Sequence, residues 1–407
     1  MLVTQESIPL RPPLGRAARY DAAILDASVT IADQEGWRSM NFSHVAEAAG
    51  VSRQAVLSRH ASRSALAASV WSGRLAATVG RALEVVVAAC PRPGDPVDAD
   101  DLTKALSAFT APGEPMRAAA ELLLVARYDP RVNAAVHETL GPALERWIIP
   151  NRGAVTRVQA ARRGFLIALA LGLLLEARRE RGGRVELAGA LDRVGAALEQ
   201  PAAPARLPLA RATHLDEPAD FDVGDETWAT VLQATLDEVG THGYEAATMN
   251  DIARASGHTQ GAIFSRYATK LELFLDATAR MLTNAGRKGA EYQAGIAANR
   301  SVGIADAAMI REIMRPGRAS VRTITLEQCR LSWHDPNMLA EFETALSDPA
   351  ILAQAAYPGS TPEQARGWLH VEFGRGLGSA VLADLHPQAW DLPYDVVLVP
   401  LNDGPAS

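Results

Sequence analysis

The chain has 407 residues, 48% hydrophobic and 21% charged, with a formal net charge of −7. That length exceeds one ordinary domain and accommodates two or three with full cores, and the composition excludes overall disorder. Two cysteines far apart, Cys90 and Cys329, exclude a disulfide framework or a cysteine-rich zinc site and read as core thiols, while net acidity excludes indiscriminate nucleic-acid binding but not a local basic face.

From the amino terminus onward, Arg and Pro stand where a secretory signal needs an apolar stretch. Apolar residues then recur at helical spacing at Ile24, Leu25, Val29 and Ile31. A Pro/Asp-rich interruption from Pro91 to Asp100 reads as a loop within the first domain. The longest apolar run, Phe165 to Leu175, has eleven residues against about 20 for a bilayer span, which predicts a buried helix, no membrane association and a cytoplasmic protein. Pro201, Pro204, Pro208 and Pro218 mark an extended linker. Helical spacing resumes at Val231, Leu232, Leu236 and Val239, and Val397-Leu398-Val399 is the best strand candidate in a chain with no sustained alternation.

The chain repeats itself. Gly36-Trp37 and Val45-Ala46-Glu47-Ala48-Ala49-Gly50 return 207 residues later as Gly243-Tyr244 and Ile252-Ala253-Arg254-Ala255-Ser256-Gly257. Glu121 with Tyr128-Asp129-Pro130 returns at an offset of 206 as Glu327 with His334-Asp335-Pro336, and Arg163-Gly164-Phe165-Leu166 at 203 as Arg366-Gly367-Trp368-Leu369. Three regions in one order at nearly constant offset indicate a duplication. The expected fold class is all-α, with two tandem domains: a first head at 14–75 and core at 76–199, a linker at 200–219, and a second head at 220–285 and core at 286–407.

Within the second head, Thr248 and Asp251 suit a helix start, Gly257 a left-handed helix end, and Thr259 the cap of a second short helix. That helix offers Gln260, Gly261, Ala262, Ser265 and Arg266, small and polar residues able to enter a major groove and bond base edges.

In these residues, Thr248, Ile252-Ala253, Ser256-Gly257-His258-Thr259, Gly261, Phe264, Tyr267 and Lys270, the chain resembles the tetracycline-repressor family of one-component bacterial regulators. The resemblance implies phosphate contacts from Thr248, Lys270 and Tyr267 and base readout from Gln260 to Arg266. The first head carries a weaker version in Asn41, Val45-Ala46, Ala49-Gly50-Val51-Ser52, Arg53-Gln54-Ala55, Leu57, Ser58, Arg59, His60 and Arg63, with Gln54 in place of the glycine and Leu57 and His60 in place of the aromatics. Charge runs the other way: residues 11–75 hold eight Arg against five acids, and residues 221–285 hold four Lys/Arg against nine.

The resemblance further implies helical cores that dimerise and bind a small effector, with double-stranded operator DNA as partner and no cofactor. Gly164, Ala168 and Gly172, with Gly367, Gly374 and Gly378, suit closely packed interface helices, within one chain as a pseudo-dimer or between two chains as a homodimer. Cys329, Trp333, His334, His370 and Phe373 in the second core, and Tyr128 and Trp147 in the first, mix aromatic surface with polar tips as effector pockets do. An enzyme is disfavoured, since the histidines lack paired metal-ligand spacing and no phosphate loop, nucleophile elbow or dinucleotide fingerprint is present. A ligand-sensing or protein-binding relative with weakened DNA binding is the alternative.

Overall fold

A computed structural model of the chain describes residues 15–92, 95–150, 155–179, 187, 189–201, 203–207, 221, 226–340 and 360–404. Helices account for 79% of it, and no β-strand occurs among the described residues. Most of the expected linker, 208–219, lies outside them.

The first head consists of α1 (Arg16–Gln34), α2 (Phe42–Ala48) and α3 (Arg53–Leu57). Then α4 (Arg63–Val70) runs through a π turn at Trp71–Leu75 into α5 (Ala76–Ala88). The core adds α6 (Ala99–Thr110), α7 (Glu114–Val125), α8 (Pro130–Ile148), α9 (Arg157–Arg179) and α10 (Ala190–Glu199). Local chemistry sets these limits. Asp129 accepts from the backbone N–H of Arg131 and Val132, and Pro130 occupies the first helical position, where its missing N–H costs nothing.

The second half follows the same order. Its head is α11 (Glu226–His242), α12 (Met249–Ser256) and α13 (Gln260–Phe264); α14 (Lys270–Ala297), α15 (Val302–Met314), α16 (Ala319–Ser332), α17 (Pro362–Leu385) and α18 (Asp395–Asp403) follow. Thr361 and Gln364 form a reciprocal capping box that starts α17. Val397-Leu398-Val399, expected as a strand, is helical: Val396, Val397 and Leu398 are buried where α18 packs on α10 and α15, and this tertiary burial overrides β-branched propensity.

The dominant packing in the molecule is α9 against α17, the two helices that carry the Arg-Gly-aromatic-Leu repeats. A Cβ added to Gly172 would stand 1.6 Å from the Gly374 carbonyl oxygen, and one on Gly378 would stand 1.7 Å from that of Ala168. Backbones this close require glycine, as the small-residue pattern implied. Gly164 faces Leu392 and Tyr394, and Gly367 faces the Leu187 backbone. With α10 against α18, the four helices join the halves of a single chain in one bundle.

By length and hydropathy α9 could cross a membrane, but it is packed inside the bundle and Phe165 to Leu175 are buried. Both thiols are also buried, which pushes Cys90 up to about 11 and Cys329 up to about 12.

One hydrophobic core runs through the first head, both sets of core helices and the bundle, whereas the second head has its own smaller core, closed by Ile324 and Met338.

Candidate nucleic-acid interface

In the second head, the Thr248 hydroxyl oxygen accepts the Asp251 N–H at 3.1 Å and opens α12, whose Ile252 and Ala253 are buried. Gly257 ends it at φ +73°, a conformation that costs an L side chain about 1 kcal/mol. Thr259 accepts the Ala262 N–H at 3.2 Å and starts α13. Ile263 and Tyr267 face inward, so Gln260, Gly261, Ala262, Phe264 and Ser265 share the outer surface of this short helix. Phe264 is 47% exposed. The first head repeats the geometry: Asn41 accepts from His44 N–H at 3.0 Å, Gly50 turns at φ +64°, and Ser52 accepts from Ala55 N–H at 3.1 Å, leaving Arg53 and Gln54 exposed on α3. Each cap satisfies a backbone donor that the helix itself leaves open.

Several expected contact residues are engaged within the protein. Arg266 lies over the Trp228 ring at 4.7 Å and the Tyr267 ring at 5.8 Å. At the corresponding place Arg59 pairs with Asp21 and lies 5.9 Å from the Tyr20 ring centre. Asp21 and Trp228 are themselves 207 positions apart, so one site on the first helix of each head holds the arginine, by an ion pair in one head and a cation–π contact in the other. The Tyr267 hydroxyl donates to Asp276 at 2.5 Å, and burial together with that carboxylate pushes it up to about 12.

Lys270 donates to the Tyr244 and Ala247 carbonyls at 2.6 and 2.9 Å, and burial lowers its ammonium from the usual range. These two bonds leave one of the three ammonium donors for a phosphate. His60 is half-buried and lowered from its ordinary value by that burial, the Ser58 hydroxyl donates to the Ala55 carbonyl at 3.1 Å, and Arg63 lies over Trp37 at 4.4 Å. Arg53, Gln54, Gln260 and Phe264 keep their side chains clear of such engagements.

The heads are tied to the cores by buried charge. Glu121 and Arg330, at 0% and 1% exposure, pair at 2.8 Å. Arg330 also binds Glu327 and, in the second head, Glu245. Glu121 accepts the Trp37 N–H at 2.8 Å and meets His334 Nε2 at 3.3 Å. Arg178 and Arg117 both bind Asp33, at 3.0 and 2.6 Å, and so fix the end of α1. The packing is reciprocal: an added Cβ on Gly36 would strike the His334 ring, and one on Gly243 the Tyr128 ring. Sequence reasoning missed Arg330, and the available signal was a charged residue amid the apolar spacing of Ile324, Leu326 and Cys329.

The expected effector residues do not gather. Trp333 and His334 line a polar cavity of about 620 Å³ with Asp33, Glu35, Arg117 and Arg178. Tyr128 packs on Gly243, His370 meets Glu176 at 3.3 Å, and Cys329 and Trp147 are core. Only Phe373 lines the mainly apolar, open cavity of about 440 Å³ bordered by α14, α15, α16 and α17, with Leu282, Met309, Val321 and Leu377 beside the charged Glu312, Arg318, Arg322 and Glu372. The aromatic residues expected there mostly pack into the core or against the heads, because sequence alone does not separate core from cavity wall.

Residues 231–277 match the family described as "Bacterial regulatory proteins, tetR family". The match spans most of α11, all of α12 and α13, and the opening of α14. No curated protein matches the chain.

Proposed function

Because residues 231–277 match the tetR family of bacterial regulatory proteins, we propose that the chain is a DNA-binding transcription regulator with two unequal reading heads that recognises an asymmetric operator. The observation that carries this reading is α13 itself, a capped, glycine-bounded helix inside the matched segment whose outer face is exposed and whose buried residues are confined to the other side. The first head supports a second reader through its equivalent caps and turn and its excess of arginine. Joining of α9 to α17 within one polypeptide favours a pseudo-dimer, which presents two different helices to DNA without a second chain. The apolar cavity between α14 and α17 suits a small effector, in keeping with a repressor released by ligand in the cytoplasm.

The testing experiment is selection of bound sites from a random duplex library with the intact protein at moderate salt. Enrichment of two dissimilar half-sites, separated by about one helical turn or a multiple of it, is the expected result. Absence of enrichment, with effector binding retained, supports the second reading, a ligand-sensing or protein-binding protein, which the nine acids against four basic residues at 221–285 favour.

A further inference from the structure

The proposed DNA binding leaves open what each head reads, and the two recognition helices differ at corresponding positions. Arg53 opens α3, and Gln260, 207 residues later, opens α13. Leu57 corresponds to Phe264, and Gln54 to Gly261. Arg59 and Arg266, the remaining arginines of the two units, rest against α1 and α11 through Asp21 and Trp228, with Arg266 still exposed to solvent. The exposed groups without a partner contact of this kind are a guanidinium and a carboxamide in the first head, and a carboxamide, a methyl group and a phenyl ring in the second.

These groups are chemically selective. A guanidinium donates two parallel bonds to guanine O6 and N7, a carboxamide both donates to and accepts from adenine N6 and N7, and apolar carbon packs against the thymine 5-methyl group. Among the described residues, Val85, Phe264 and Val302 are the large hydrophobic side chains exposed to solvent, and Phe264 is the aromatic one. It lies one helical turn from Gln260 on the same side of α13, and Gly261 adds no side chain to hold the backbone away from the groove.

We propose that the two heads read half-sites of different base chemistry: Arg53 reads a guanine in the first, while Gln260 reads an adenine and Phe264 a thymine methyl group in the second. This deepens the proposed DNA binding and rests on it. The second head gains its selectivity from methyl contact and hydrogen bonding rather than from charge, which fits its acidic surroundings.

The test uses the full chain and the site it enriches, resynthesised one half-site at a time with deoxyuridine for thymidine, which removes only the methyl group, or with 7-deazaguanine, which removes only N7. Deoxyuridine in the second half-site weakens wild-type binding about fivefold or more and leaves Phe264→Ala unaffected; 7-deazaguanine in the first weakens wild type about tenfold and leaves Arg53→Ala unaffected. Both substituted side chains are exposed, so neither variant is expected to disturb folding. A wild-type complex indifferent to the methyl group, or one whose loss persists in Phe264→Ala, overturns the proposal while leaving two-headed DNA binding standing. Failure to enrich any site overturns DNA binding itself and this proposal with it.

Discussion

Glu121 and Glu327, 206 positions apart, do the same work in the two halves: one accepts the Trp37 N–H at 2.8 Å, the other the Tyr244 N–H at 2.7 Å, and the single guanidinium of Arg330 binds both. The position that corresponds to Arg330 in the first half is Leu124. Two identical subunits would bring either two such arginines to this junction or none, whereas a duplicated chain can place one between two carboxylates. The asymmetry of the heads is thus matched by asymmetry at their common anchor.

Removing that arginine takes from two buried carboxylates the guanidinium they share, a loss that costs about 3–5 kcal/mol. Arg330→Leu, which copies the first-half residue, is expected to lower the denaturant midpoint accordingly. A loss below about 1 kcal/mol would mean that the cluster is already compensated by Arg178 and His334.

Acid should act at the same place. Burial opposes ionisation of Glu121, but Arg330, the hydrogen bond from His334 and Arg178 hold its carboxyl well below the usual carboxylate range. Its folded pKa therefore lies below the unfolded value of about 4.3. The stabilisation is complete above the unfolded value and is lost as pH falls toward the folded one, so stability declines below about pH 5. Glu121→Gln is expected to be less stable at pH 7 and to show a shallower decline in acid, measured by urea unfolding across that range. An unchanged slope would place the acid-sensitive group elsewhere.

The all-α class and the local grammar of both heads were legible because caps, turn glycines and helical spacing are encoded within a few residues, as at Thr248, Gly257 and Thr259. The close helix pair was legible from Gly172, Gly374 and Gly378, since small residues at helical spacing have few other uses. The retreat of Arg266 onto Trp228 and of Lys270 onto two carbonyls was not, because both depend on a neighbouring helix. Nor was the apolar cavity, whose walls come from four helices spread over a hundred residues.

Reciprocal packing of the halves can be measured at Gly243. Gly243 and Gly257 have nearly equal φ, +78° and +73°, so alanine at either carries about 1 kcal/mol of backbone strain. At Gly257 the new methyl group meets nothing within 4 Å, but at Gly243 it lies 2.8 Å from the Tyr128 ring. Gly243→Ala is expected to cost about 1–3 kcal/mol more than Gly257→Ala. Combining it with Tyr128→Ala should recover part of that difference, with a coupling energy of about 0.5–3 kcal/mol. Strict additivity would show that the halves do not bear on each other there.

The apolar cavity can be filled without disturbing its walls. Gly376 lies within α17 and lines the cavity, and a Cβ added to it meets nothing within 4 Å. Glycine inside a helix costs about 0.5–1 kcal/mol relative to alanine, so Gly376→Leu should leave stability unchanged or slightly raised while its side chain occupies the ligand volume. Helix α14 runs from Lys270, at the edge of the second head, past this cavity, and α17 runs from the cavity wall to the crossing with α9. A molecule seated there touches both the helix that continues from the second head and the helix that joins the halves, the two elements through which the proposed ligand control would have to act. Binding of the anionic amphiphilic dye 8-anilino-1-naphthalenesulfonate, followed by its fluorescence, should saturate with the wild-type chain and vanish in Gly376→Leu, with affinity for the selected DNA retained. Equal dye binding by both proteins would move the effector site out of this cavity, and the polar cavity at Asp33, Arg117 and Trp333 would be the next place to fill.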